Sequence, residues 1–165
     1  MRAVVAYESW FGNTGALAEA VADELRASHE VALVSVDEPP PSLEGVDLVV
    51  VGAPTHVHGL SSRFSRRAAL EQQGVEREPG RGARGWLAEL PAGDGRRAAA
   101  FDTRVDKPVV FVGSAGRTLG KRLARKGFAL VAPSESFFVR DSEGPLEDGE
   151  LDRARTWGAS LVARS

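Results

Sequence analysis

The sequence predicts an α/β domain built on a doubly wound, five-stranded parallel sheet in the order 2-1-3-4-5. Three observations carry that prediction. Short apolar runs rich in valine recur at Ala3–Tyr7, Val31–Val36, Leu48–Val51 and Ala98–Phe101, mostly continuous rather than alternating, as strands buried on both faces read. Helical patterns separate these runs, and alternation of strand and helix is the signature of a parallel sheet covered on both sides. The length, 165 residues, suits one compact domain with a core of its own and favours the small strand order.

The elements follow in turn. After the first strand, "GNTGALAEAVADELRAS" places Leu17, Val21 and Leu25 on one face and Glu19, Asp23 and Glu24 on the other, an amphipathic helix that Asn13 or Thr14 can cap. Strand, helix and strand then form a right-handed crossover with the two strands parallel. "EPPPS" (38–42) is a stiff surface connection. "RFSRRAALEQQ" predicts a short helix, and "EPGRGARGWLAELPAGDG" a loop and a helix turn before the fourth strand. "PVVFV" (108–112) reads as a strand or as an extended, buried loop. "TLGKRLARKG" is a helix stopped by Gly127. "FALVAPSESFFV" is the last strand, long and interrupted near Pro133, and a closing helix carries Leu151, Ala154, Trp157 and Leu161. With no internal repeat and no linker, residues 1–165 form a single domain.

Composition excludes several classes. A formal net charge of -2 lacks the basic bias of a dedicated nucleic-acid binder. Without cysteine, disulfides, thiol catalysis and cysteine-ligated metals are ruled out. "MRAVVAYES" turns polar too soon for a signal peptide, and no run approaches the roughly 18 apolar residues of a membrane span. The expectation is a soluble, cytoplasmic protein with no membrane partner.

In a sheet of this order the ligand sits at the carboxyl ends of the strands beside the switch between strands one and three. "SWFGNT" (9–14) and "GAPTHVHG" (52–59) lie there. A loop entering a helix offers unpaired main-chain N–H groups and the positive end of the helix dipole. Gly12 allows close backbone approach, and Ser9, Asn13 and Thr14 add hydroxyl or amide groups, a combination that holds phosphate without a formal cation. The lysine of a Walker loop is missing, as is the dinucleotide fingerprint. A terminal phosphate monoester fits what remains.

These residues resemble the flavodoxin-like family. "SWFGNT" directly after the first strand looks like its FMN phosphate loop, in the form found in flavodiiron and quinone-reductase relatives. "VVVGAPTH" looks like the third strand and second flavin loop, "AAAFDTR" like the fourth strand and third loop, and "ESFFVRDSEGPLEDGELDRARTWG" like the C-terminal part. The resemblance implies a non-covalent FMN whose phosphate is held by Ser9, Gly12, Asn13 and Thr14 and by the main-chain N–H groups of Trp10 and Phe11. It implies a ring bordered by Pro54, Thr55 and His56 on one side and by Asp102, Thr103 and Arg104 on the other, with main-chain groups at His58–Gly59 near N5. Two departures stand out: Glu8 and Trp10 occupy positions where short-chain flavodoxins usually have a hydroxyl residue. Neither later loop carries the usual Trp or Tyr, leaving a ring face open or covered by His56, His58 or Trp10.

Other motifs read as structure. "HVH" (56–58) lacks further ligands for a metal. "GRGARG" (80–85) follows no strand, so its match to G-x-G-x-x-G is a loop. "GSAGRTLGKR" departs from a P-loop at Ala115 and Arg122, and Val112 breaks a G-x-S-x-G elbow. The receiver-domain reading fails because Ala53-Pro54-Thr55 stands where its phosphoacceptor Asp belongs. The cations from Arg117 to Lys126 read as a solvated helix face able to attract an anionic partner or the phosphates of a pyridine nucleotide. The acidic stretch Asp141–Asp152 reads as surface. The leading expectation is a flavodoxin-type electron carrier. The alternatives are an FMN-dependent NAD(P)H or quinone oxidoreductase and a module that has lost FMN. The partner is a redox protein or a small quinone or NAD(P)H, the state monomer or homodimer, and no catalytic residue is assigned.

Overall fold

The computed structural model describes residues 1–56, 59–76 and 78–164. The sheet has six strands: β1 (Arg2–Tyr7), β2 (Glu30–Ser35), β3 (Leu48–Pro54), β4 (Arg97–Val105), β5 (Ala129–Leu130) and β6 (Glu135–Val139). The helices are α1 (Asn13–Leu25), α2 (Arg63–Gln72), α3 (Gly82–Glu89), α4 (Val109–Val112), α5 (Ala115–Arg125) and α6 (Glu150–Val162). Strand order is β2-β1-β3-β4-β5, with β6 also on β4 and every pairing parallel. This is the predicted 2-1-3-4-5 arrangement. Its fifth position is one long strand in two pieces, broken around Pro133 as the sequence indicates.

The continuous apolar runs behave as expected of buried parallel strands. Val4, Ala6, Val49, Val51, Ala98 and Ala100 face a core built with Trp86, Leu87, Leu119 and Leu123 of α3 and α5. Val5, Val50 and Phe101 face the other core, against Leu17, Val21 and Leu25 of α1 and Trp157 and Leu161 of α6. Phe101, Phe137 and Trp157 meet edge to face in that second core, with centroids 5.8–6.1 Å apart.

Three expectations change. "PVVFV" is neither strand nor buried loop: Val109–Val112 forms the short α4, with Val110 79% and Phe111 69% exposed. Pro108 has no N–H for a ladder, and the strand edge is already taken by β6, which pairs β4 to its end at Val105. Leu151 lies on the exposed side of α6. Helix α1 has Gly12, at φ 89, as its N-cap, with Asn13 and Thr14 already helical. No helix among the described residues is long and apolar enough to cross a membrane.

Gly52 pairs with Phe101 across β3 and β4, and a Cβ there would stand 2.1 Å from the Phe101 ring. The ring cannot withdraw, because Phe137 and Trp157 hold it from both sides. Gly52→Ala is therefore expected to cost about 1–3 kcal/mol of stability, read as a lower denaturant midpoint with an unchanged slope.

Candidate functional site

The carboxyl ends of β1, β3 and β4 open into a cleft of about 560 Å³, within the usual size of a small-molecule site. Its walls come from Ser9, Trp10, Phe11, Asn13 and Thr14 after β1, from Pro54, Thr55 and His56 after β3, and from Thr103, Arg104 and Val105 of β4. Helix α2 contributes Phe64, Ser65, Ala68, Ala69 and Gln72, and α4 contributes Phe111 and Val112. Sequence reasoning missed both of these walls. The apolar exposed residues of α4 look like core in the sequence, and nothing in the pattern of α2 shows which way its first turn faces.

The loop from Ser9 to Thr14 is held open by its own geometry. Gly12 takes the left-handed conformation that favours glycine and, as N-cap, has no side chain to offer the helix behind it. The main-chain N–H groups from Ser9 through Thr14 have no acceptor among the described residues, whereas Gly15 N donates to Ser9 Oγ at 3.1 Å and Ala16 N to Gly12 O at 3.0 Å. A run of free donors at the start of a thirteen-residue helix is chemically an anion nest. Ser9 Oγ accepts from Gly15, so its own proton remains to donate. Asn13 Nδ2 donates to Glu143 O at 2.9 Å, and the buried Thr14 hydroxyl pairs with that of Thr103 at 2.9 Å. These contacts tie the loop to the C-terminal segment and to β4.

Glu8 points the other way. Its carboxylate is buried, accepts from Trp10 Nε1 and from Ala83 N, each at 2.8 Å, and accepts the Ser61 hydroxyl. Ser61 Oγ in turn accepts from Arg66 Nη1 at 3.1 Å. The carboxylate thus faces the first turn of α3, where a negative charge is favourable, and is absent from the walls of the cleft.

On the opposite side the two later loops are hooked to α5. Thr55 Oγ1 accepts from Ala115 N at 3.0 Å. Asp102, fully buried, accepts from Gly116 N at 2.7 Å and from Ser114 Oγ at 2.5 Å. Asp102 therefore serves the start of α5 and does not line the cleft; Gly12 and Gly59 do not line it either. His56 and Gly59 exchange both main-chain hydrogen bonds at 2.8 and 2.9 Å, closing a tight turn; His58 lies outside the described residues. The Arg104 guanidinium stacks 5.0 Å from the Phe138 ring and donates to Lys107 O at 2.6 Å. It is the one charged side chain among the described residues lining the cleft, and no described Asp or Glu is among them.

Residues 4–74 match the model of a family described as a flavodoxin domain. No curated protein matches the chain. Among solved structures, an oxidised flavodoxin 1 from Bacillus cereus superimposes with a TM-score of 0.71 at 22% identity, over 99% of this chain and 98% of that one. A flavodoxin from the domain Archaea gives 0.69 at 18% identity, over 99% and 98%. A WrbA-like flavodoxin from Agrobacterium tumefaciens gives 0.60 at 21% identity, over 99% and 97%. The fold is flavodoxin-like, and the family match lies in the first 74 residues.

Two predictions arise from this geometry. Glu8→Ala strips acceptors from Trp10 Nε1, Ala83 N and Ser61 and is expected to destabilise by about 1–3 kcal/mol, with Glu8→Gln losing less; equilibrium unfolding separates the two. Burial lowers the pKa of His56, Glu8 opposing and Arg66 adding to the shift. Burial, helped by the N-terminal amine, lowers that of His29 as well. Lowered folded values mean that the unfolded chain binds protons first as pH falls below about 6.5. Stability from both groups is then full above that pH and declines toward the folded pKa. Melting temperatures across this window are expected to fall less in His56→Gln than in the wild type.

Proposed function

We propose that the chain is an FMN-binding redox protein that works as a flavodoxin-type electron carrier. The observation that carries this reading is the run of N–H groups from Ser9 to Thr14, unpartnered among the described residues, in a loop that turns at Gly12 and lines the cleft through Ser9, Trp10, Phe11, Asn13 and Thr14. The residues fit a phosphate monoester: main-chain donors, the Ser9 proton and the dipole of α1 supply its partners, and Glu8 is turned away. Pro54, Thr55 and His56 after β3 and Thr103 and Arg104 of the neighbouring β4 line the same cleft, where this reading puts the ring. Bound FMN supplies the reversible electron chemistry, and the protein sets its exposure and charge environment. Among the described residues lining the cleft Arg104 is the only charged side chain, so negative charge gathering on a ring there meets that cation.

A second reading, an FMN-dependent NAD(P)H or quinone oxidoreductase, draws support from the apolar mouth. Phe64 is 84% exposed and Phe111 69%, walls suited to a second planar molecule. Steady NAD(P)H oxidation with a quinone acceptor distinguishes an enzyme from a carrier.

Flavin fluorescence titration tests the shared core of both readings. FMN is expected to bind more tightly than riboflavin. Gly12→Ala, forced into a conformation about 1–2 kcal/mol uphill for an L-residue, is expected to weaken FMN about tenfold and to leave riboflavin nearly unchanged. No uptake of either flavin overturns the proposal in favour of a module that has lost the cofactor.

A further inference from the structure

The net charge of -2 conceals a strong division between the two helical layers. Helix α1 carries Glu19, Asp23 and Glu24 and no cation; α5, across the sheet, carries Arg117, Lys121, Arg122 and Arg125 and no acid. Arg117, Lys121 and Arg125 are exposed and four residues apart, and so share one face. Among the described residues none of the four has an ion-pair or side-chain hydrogen-bond partner, whereas Arg2, Arg26, Arg63, Arg67, Arg140 and Arg155 are all paired on the surface. Like charges spaced by four oppose helix formation, and Arg117 in the first turn also opposes the helix dipole. Arg122 and Arg125, in the last turn, suit the dipole, but the exposed row of Arg117, Lys121 and Arg125 still sets like charges side by side.

The row starts beside the cleft at Arg117 and runs from there toward the amino end of β4, where Gly93 N donates to Lys126 O at 2.7 Å. Helix α4 lines the cleft through Phe111 and Val112 and joins α5 through Gly113 and Ser114. Val110 and Phe111 on α4, and Phe64 across the mouth, are 79%, 69% and 84% exposed. Apolar side chains at the mouth, continued by a row of cations that leads away along α5, form the anatomy of a protein–protein contact. The apolar face of α5, Leu119 and Leu123, is fully buried against the sheet, so this helix cannot lie in a lipid surface as an amphipathic anchor does.

We infer that the α4–α5 face is the docking surface for a partner protein that presents an acidic patch beside an apolar contact, seated over the mouth of the cleft. The charges on α5 steer the partner and set its orientation, and Phe111 and Phe64 meet its apolar centre. The electron-carrying purpose of this contact rests on the FMN reading above; the contact itself does not.

The probes are proteins of opposite surface charge, an acidic two-iron ferredoxin and a basic cytochrome c, titrated calorimetrically into the full chain with and without FMN. The ferredoxin is expected to bind, more weakly at about 0.3 M than at about 0.01 M salt, and cytochrome c is not. The triple substitution Arg117→Glu/Lys121→Glu/Arg125→Glu is expected to weaken the ferredoxin about 100-fold, and its milder Ser counterpart to weaken it less. Phe111→Ser is expected to weaken binding without changing the salt dependence. Circular dichroism checks the fold of each variant, and Arg26→Glu/Arg155→Glu, on the other layer, is expected to bind as the wild type does. Absence of ferredoxin binding, indifference to salt or to the α5 substitutions, or tighter binding of duplex DNA or phosphatidylserine vesicles overturns the inference. So does self-association through α5 on gel filtration. A chain that binds ferredoxin but no flavin overturns the FMN reading alone, and a chain that binds FMN but no ferredoxin overturns the docking surface alone.

Discussion

The buried carboxylate of Glu8 is the point at which the local structures of the site are joined. It follows β1, yet its partners belong to the loop before α1 (Trp10), to the turn before α2 (Ser61) and to the start of α3 (Ala83). A charge taken out of water is tolerated only where hydrogen bonds replace the solvent it lost, and here three donors from three segments do so. The requirement runs in both directions. The segments satisfy the carboxylate, and the carboxylate fixes where each can lie, so the loop that offers its N–H groups to the cleft is anchored from behind. With its charge committed to α3, Glu8 leaves the cleft free of anionic side chains.

The opposite flank of the cleft is organised by the same kind of contact with the roles reversed. There a helix start, that of α5, draws its partners from Thr55 after β3 and from Asp102 within β4. The rim that faces a ligand and the helix whose cations face solvent are therefore one hydrogen-bonded body. A displacement of α5 by anything seated on it is felt at Thr55 and Asp102 without an intervening element.

What the sequence could reveal divides along physical lines. The buried strands, α1 and the interruption at Pro133 were legible because hydrophobic continuity, helical periodicity and proline act locally. The position of "SWFGNT" at the switch of the sheet followed from strand order alone. The destination of a single polar side chain did not. Asp102 was read as a ring-bordering residue and instead sits beneath α5, because on a strand a shift of one residue exchanges the two faces. Glu8 could be flagged as odd but not placed, since its partners lie 53 and 75 residues away. The apolar "PVVFV" misled for a related reason: hydrophobicity signals burial only where the chain has somewhere to bury it, and the edge of β4 was already occupied.

The break in the last strand has a consequence for how this domain tolerates change. β5 and β6 pair with the same edge of β4, but the register slips by two residues between them. Two is an even number, and side chains alternate with period two. Residues before and after the break thus keep the same sense of inside and outside, and Phe137 arrives in the aromatic triangle. Gaining or losing one residue between Leu130 and Glu135 would reverse that sense for all of β6, turning Phe137 toward α5. Length variation at Pro133 is therefore constrained by parity rather than by size: the interruption can lengthen or shorten in pairs, and single steps are forbidden.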